Sequence, residues 1–144
     1  MKILLDTSVL VAALLETHSF HESAFNWLEK VRDNSHEAVV SAHSLAELYA
    51  ILTRLPVKPT ISPGVAQELI KDSVIDVCKV IHLTPQDYDT VIDRMAELSI
   101  IGGAVYDALI MQVASKVAVD AIITLNEKDF RRVHPEFADK VRTP

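Results

Sequence analysis

Ile3-Leu4-Leu5-Asp6-Thr7-Ser8-Val9-Leu10 decides how the rest of the chain is read. Three apolar residues stop at an acid, and apolar residues resume after two hydroxyl-bearing ones. An unbroken apolar run this short suits a strand buried on both faces, as in a parallel sheet. Asp6, Thr7 and Ser8 each offer a side-chain oxygen to the unpaired N–H groups at a helix start. The stretch therefore predicts a strand, a cap and then a helix over residues 9–15. Parallel strands need crossover connections, so helices should separate the strands that follow.

The chain continues in that way. Residues 21–32 carry Ala24, Trp27, Leu28 and Val31 at helical spacing, and residues 38–40 repeat the short buried run. Ser41 caps a helix whose Leu45, Leu48, Tyr49 and Leu52 share one face, and which stops before Pro56. Residues 57–62 form a Pro-containing connection. Ser62-Pro63 then opens a helix through about residue 72. Residues 77–83 predict a strand, and Thr84-Pro85 opens a helix carrying Val91, Ile92, Met95 and Leu98. Gly102-Gly103 breaks the chain before a helix over 104–118. Residues 121–123 form a buried strand with a turn at Asn126, and residues 140–142 a short edge strand. Short buried strands alternating with helices predict an α/β fold with a mostly parallel sheet. No repeat or linker divides the chain, which predicts one domain over residues 1–144.

Composition narrows the function. Of 144 residues 49% are hydrophobic and the mean hydropathy is +0.22, which excludes a disordered chain. Lys and Arg number 14 against 20 Asp and Glu, a net charge of −6. This is no broadly basic coat for nucleic acid. Any such contact is local, or runs through metal ions held by the acids. Cys78 is the one cysteine, so no internal disulfide forms, in keeping with a reducing cytoplasm. Asp6 interrupts the first apolar run, and residues 18–22 stand where a signal peptide needs small cleavage-site residues. No run approaches the ~18 apolar residues of a membrane span. These points predict a soluble, cytoplasmic protein with no membrane contact.

Four acidic positions carry the chemistry. Asp107 shares a helix face with Gly103, Ala104, Ile110, Met111, Ala114 and Ala118, with no Lys, Arg or His three or four residues away. It is either a first-turn acid favoured by the helix dipole or a buried acid kept for function. Glu47 lies mid-helix near His43, Ser44, Ala50 and Ile51, either solvated or in a site. Asp6 either caps its helix or stands at the carboxyl end of a strand, where open α/β sheets bind ligands. Thr124-Leu125-Asn126-Glu127-Lys128-Asp129-Phe130 follows another buried strand. Asn126 and Asp129 there form a near capping box or join the other acids, with Phe130 anchoring the turn. A parallel sheet brings strand-end acids to one rim, where carboxylates repel and raise one another's pKa. A hard divalent cation such as Mg²⁺ or Mn²⁺ resolves that repulsion with oxygen ligands and suits phosphodiester hydrolysis.

Leu5-Asp6-Thr7-Ser8-Val9-Leu10, Ala46-Glu47-Leu48-Tyr49, Tyr106-Asp107-Ala108-Leu109-Ile110 and Thr124-Leu125-Asn126-Glu127-Lys128-Asp129-Phe130 together resemble the PIN-domain ribonucleases. More closely they resemble the VapC-type toxins of toxin–antitoxin pairs, over nearly the whole chain. The resemblance implies a three-layer α/β/α sandwich and a Mg²⁺- or Mn²⁺-dependent endoribonuclease. It implies Asp6, Glu47 and Asp107 as metal ligands, Ser8 as a supporting or substrate-contacting hydroxyl, and Thr124 as orienting the last acid. Family members often carry Asp where this chain has Asn126, which leaves Asp129 to supply the fourth carboxylate. The resemblance also implies a homodimer and an antitoxin whose tail enters the acidic groove. Attack by an activated water would leave 5′-phosphate and 3′-hydroxyl ends.

His43 is then a structural residue or a substrate contact rather than a base. Arg54, Lys58, Lys128, Arg131 and Arg132 are candidates for RNA phosphate contacts or a solvated basic surface. Single-stranded loops are the expected target, because A-form duplex hides its base edges. A haloacid-dehalogenase-type phosphoryl transferase also begins with a strand-end Asp, but it needs a second Asp two residues on, where this chain has Ser8. The remaining alternative is a PIN-like module that binds RNA or protein without cutting, favoured only by Asn126.

Overall fold

The computed structural model describes residues 1–144. The opening stretch folds as β1, Lys2–Leu5, then α1, Thr7–Leu14. Helix α2, His21–Arg32, leads to β2, Glu37–Ser41, and α3, Ala42–Arg54. Helix α4, Pro63–Ile70, passes into a π-helical turn, Lys71–Ile75, before β3, Lys79–Ile81. Helices α5, Pro85–Glu97, and α6, Ala104–Lys116, precede β4, Ala121–Ile123. The chain closes with α7, Glu127–Val133, a 3₁₀ turn, Pro135–Lys140, and β5, Val141–Arg142.

The strand order is β3-β2-β1-β4-β5, and every pairing is parallel, including the two-residue β5. The expected mostly parallel sheet is therefore wholly parallel. The strand expected over 77–83 shrinks to three residues, since only Lys79–Ile81 lies opposite Val39–Ser41. The helix expected to reach residue 72 ends at Ile70, where the π-helical turn takes over the hydrogen bonding.

Side-chain alternation splits the interior into two cores. Ile3, Leu5, Ala38, Val40, Ala121 and Ile123 point to one face and pack with α1, α2, α3 and α4. Leu4, Val39 and Ile122 point to the other and pack with α5, α6 and α7. That is the α/β/α sandwich, and it explains the unbroken apolar runs, because both faces of each central strand are covered. The caps follow the sequence signals. Ser41 Oγ accepts from His43 N–H, Ser62 Oγ from Val65 N–H, and Thr84 and Asp87 form a reciprocal capping box.

The topology also sets where a ligand fits. From β1 the chain builds outward to β2 and β3, then returns to add β4 and β5 on the other side. The crossovers leaving β1 and β4 therefore diverge, opening a crevice beyond the carboxyl ends of these two strands.

Candidate active site

Asp6 follows β1 directly at that crevice and is almost fully buried, at 3% exposed. It is both the N-cap of α1 and the centre of a hydrogen-bond cluster. Oδ1 accepts from Thr7 N–H at 2.7 Å. Oδ2 accepts from the Ser8 hydroxyl at 2.6 Å, the Thr124 hydroxyl at 2.9 Å and Ser8 N–H at 3.3 Å. Burial raises the Asp6 pKa, against the hydrogen bonds from Ser8, Thr124 and Thr7, which lower it. With one donor on Oδ1 and three on Oδ2, the remaining lone-pair capacity lies on Oδ1.

Ser8 and Thr124 tie the two strand ends together. The Ser8 hydroxyl accepts from Leu125 N–H at 3.0 Å while donating to Asp6. The Thr124 hydroxyl accepts from Asn126 N–H at 2.9 Å while donating to Asp6. Both hydroxyls thus use donor and acceptor together, which fixes their rotors and aims the Asp6 carboxylate.

Glu47 arrives from the second turn of α3. Its Oε1 accepts from the Thr7 hydroxyl at 3.2 Å and lies 3.5 Å from His43 Nε2. Glu47 is therefore half-buried and engaged rather than freely solvated. Asp107 projects from the first turn of α6. Its pKa is pushed up to about 6, first by burial and then by the charges of Asp6, Asp129 and Glu47, while Arg132 pulls it back. One carboxyl thus senses three others, contributed by separate segments of the chain.

Asn126 is exposed and makes no side-chain cap bond to α7, so the near capping box with Asp129 does not form. Its φ of −104° and ψ of 46° depart from the extended backbone usual at a cap. Asp129 is exposed and sits 3.8 Å from Arg132, a loose surface pair that leaves it in the field of Asp107. Phe130 anchors the turn as expected, fully buried in the second core. Arg131, grouped with the substrate contacts by sequence, is tied into the fold. Its guanidinium donates to Glu127 Oε1, to Ala138 C=O at 2.7 Å and to Val141 C=O at 2.9 Å.

Sequence reasoning missed three features. Thr7 bridges Asp6 and Glu47, Arg132 supplies the cation that Asp107 lacks among its neighbours on α6, and the His43 and Tyr106 rings stack across α3 and α6. Only Thr7 had a local signal, as a hydroxyl next to the strand-end acid.

No three His, Cys, Asp or Glu side chains stand in an arrangement that could hold a metal ion. The donor chemistry nevertheless fits one kind of ion. Asp6, Glu47, Asp107 and Asp129 offer oxygen only, and their mutual repulsion is what a hard divalent cation relieves.

Residues 3–134 match the family described as PIN domain. The chain belongs to that family. It is 33% identical over 111 residues to Ribonuclease VapC27 of Mycobacterium tuberculosis, covering 77% of this chain and 75% of that protein. Its fold is similar to the crystal structure of VapBC2 from Rickettsia felis bound to a DNA fragment from their promoter. There the TM-score is 0.71 at 21% identity, covering 100% of this chain and 99% of that one. The crystal structure of Mycobacterium tuberculosis VapC20, described as a sarcin-ricin loop cleaving toxin, has a TM-score of 0.65 at 18% identity, covering 83% of this chain and 86% of that one. No helix of this PIN protein is long and apolar enough to cross a membrane.

Proposed function

We infer that this PIN protein is a divalent-metal-dependent endoribonuclease and the toxin of a toxin–antitoxin pair. The observation that supports the reading is the field of Asp6, Asp129 and Glu47 at the half-buried Asp107 carboxyl, in a chain whose relatives are named as ribonucleases. A carboxylate set of this kind has little use in a module that only binds RNA, because it repels phosphate.

Asp6, Glu47 and Asp107 would hold Mg²⁺ or Mn²⁺, with Asp129 completing the acidic set. When bound, such an ion polarises the phosphoryl oxygen and lowers the pKa of a coordinated water. The chain's own residues do the positioning. Ser8 and Thr124 fix the Asp6 carboxylate, Thr7 links Asp6 to Glu47, and burial keeps Asp107 avid for any positive charge. Hydrolysis leaves 5′-phosphate and 3′-hydroxyl ends.

The antitoxin would quiet the enzyme by sending an Arg into the same acids, since a guanidinium bridges carboxylates bidentately. A groove whose apolar wall is Tyr49, Pro63, Ile70 and Ile75, with Gln67 and Lys71 beside it, offers its remaining segments a seat. We also infer a homodimer acting in the cytoplasm. Cys78 suits that setting, since burial pushes its thiol up to about 11 and leaves it inert.

The test is cleavage of single-stranded RNA with Mg²⁺, with Mn²⁺ and with EDTA, followed by end-group mapping. Metal-dependent cleavage with 5′-phosphate ends, lost in Glu47→Gln and Asp107→Asn, is the expected result. Cleavage that persists in EDTA, or that yields cyclic phosphates, sinks the metal-hydrolysis reading.

A further inference from the structure

The mouth of the site carries an aromatic pair that the acid cluster does not explain. The His43 and Tyr106 rings lie 5.6 Å apart between centroids and 3° from parallel. His43 stands one turn before Glu47 on α3, and Tyr106 immediately precedes Asp107 on α6. His43 is the more covered ring, while Tyr106 is 52% exposed. A large, flat, half-exposed ring therefore stands beside two of the four acids, backed by a second ring.

The backbone around it leaves that surface open. Gly103 borders the Tyr106 ring, and a Cβ added there would come 4.0 Å from Cδ2. Gly102, at φ 72°, turns the chain away with open space where its own side chain would be. Ile101, just before, is 89% exposed. The segment leading into Tyr106 is thus uncharged and apolar. A phosphate-rich ligand gains nothing from carboxylates, so its attraction here has to come from a group without charge. A nucleobase is such a group, and every base presents a π-face to an aromatic ring.

We propose that the stacked His43–Tyr106 pair is a shelf for one unpaired nucleobase of the RNA, next to the nucleotide whose phosphate meets the acids. Tyr106 touches the base, and His43 is a positioning residue that holds the ring flat. The proposal rests on the ribonuclease reading. It adds that the enzyme selects its target by an unstacked base, since bases inside A-form duplex are already stacked on each other. Stacking tolerates any base, so the shelf chooses unpaired positions rather than a sequence. The cations Lys128 and Arg132 on α7 remain for the flanking phosphates.

The experiment uses labelled single-stranded oligoribonucleotides in which one abasic position is moved along the strand. Binding is read by fluorescence anisotropy in EDTA, and KM and kcat are read with Mn²⁺. The parent should bind one abasic RNA about tenfold more weakly than the intact strand. Tyr106→Leu should show a similar loss on intact RNA, with a raised KM and a kcat near the parent's, and no further loss on that abasic strand. Tyr106→Phe should behave as the parent. Equal binding of the intact and all abasic strands by the parent overturns the shelf, and needs no variant to fold. Unchanged RNA binding by Tyr106→Leu overturns it too, and would turn the exposed ring over to a protein partner. Abasic-sensitive binding without any metal-dependent cleavage would support the shelf while overturning the ribonuclease reading.

Discussion

Asp107→Asn should make the metal-free protein more stable at neutral pH while abolishing its catalysis. Burial and the charges of Asp6, Asp129 and Glu47 push the Asp107 carboxyl up to about 6, against about 4 for an ordinary Asp. In the folded protein the group therefore keeps its proton at pH values where the unfolded chain has lost it. Stability then falls as pH rises from about 4 through about 6, and stays low above that. Two pKa units correspond to about 3 kcal/mol at most. Asp107 is half-buried, and solvent screening reduces this to about 1–2 kcal/mol. At this chain length each kcal/mol moves the melting temperature by about 2–4 °C, so the variant should melt about 2–8 °C higher at neutral pH. The assay is thermal unfolding of both proteins in EDTA from pH 4 to pH 8. The two curves should meet near pH 4 and diverge through pH 6. Mn²⁺ should raise the parent's melting temperature by binding only the folded site, and move the variant much less. A variant that melts lower than the parent at every pH, with no metal response in either, would make Asp107 a paired structural acid and dissolve the shared site.

Thr124→Val should cost about 1–3 kcal/mol in urea unfolding, because it strips a donor from Asp6 and an acceptor from Asn126 N–H at a fully buried position. RNA cleavage should fall with it, and unchanged stability would mean that water replaces the hydroxyl. Phe130→Ala should cost about 3–5 kcal/mol, since that ring is wholly enclosed in the second core; a loss under 1 kcal/mol would show that the α7 turn is not anchored there. Asp87→Asn should flatten the acid limb of the melting curve. Lys116 and Thr84 hold the Asp87 carboxyl down to about 2, so its stabilisation is present above about pH 4 and is lost as pH falls through about 2.

The α/β class was legible because Ile3-Leu4-Leu5, Ala38-Val39-Val40 and Ala121-Ile122-Ile123 admit few other solutions. Each is too short for a helix and too uniformly apolar for a sheet with one wet face. Helix starts were legible where Ser41, Ser62 and Thr84 cap. Asn126 looked like another cap, yet its N–H goes back to Thr124 and its side chain stays in solvent. The two readings left open for Asp6 turned out not to compete, as one carboxylate caps α1 and heads the acid cluster. The hold on Arg131 was not legible because its partners, the Ala138 and Val141 carbonyls, come from the 3₁₀ turn and β5 rather than from its own helix. Thr7 with Glu47, and His43 with Tyr106, are 40 and 63 positions apart, and no local period reports such pairs.

The bridge from Asp6 to Thr124 spans 118 positions of chain, and this has a consequence for timing during synthesis. The ribosome makes Asp6 almost first and Thr124 near the end. Until β4 has cleared the exit tunnel and slipped in beside β1, Asp6 lacks the hydroxyl from Thr124, and Ser8 lacks its tie to Leu125. Asp6 and the acids on α3 and α6 emerge earlier, but without the second strand end they have no shared crevice. Domains consolidate as units, and here the tie between the two strand ends arrives late. On the ribonuclease reading proposed above, a chain that stops before β4 lacks the second strand end of the site. On that same reading, the order of strands in the sheet delays activity until after translation, and an antitoxin made alongside has that interval in which to fold.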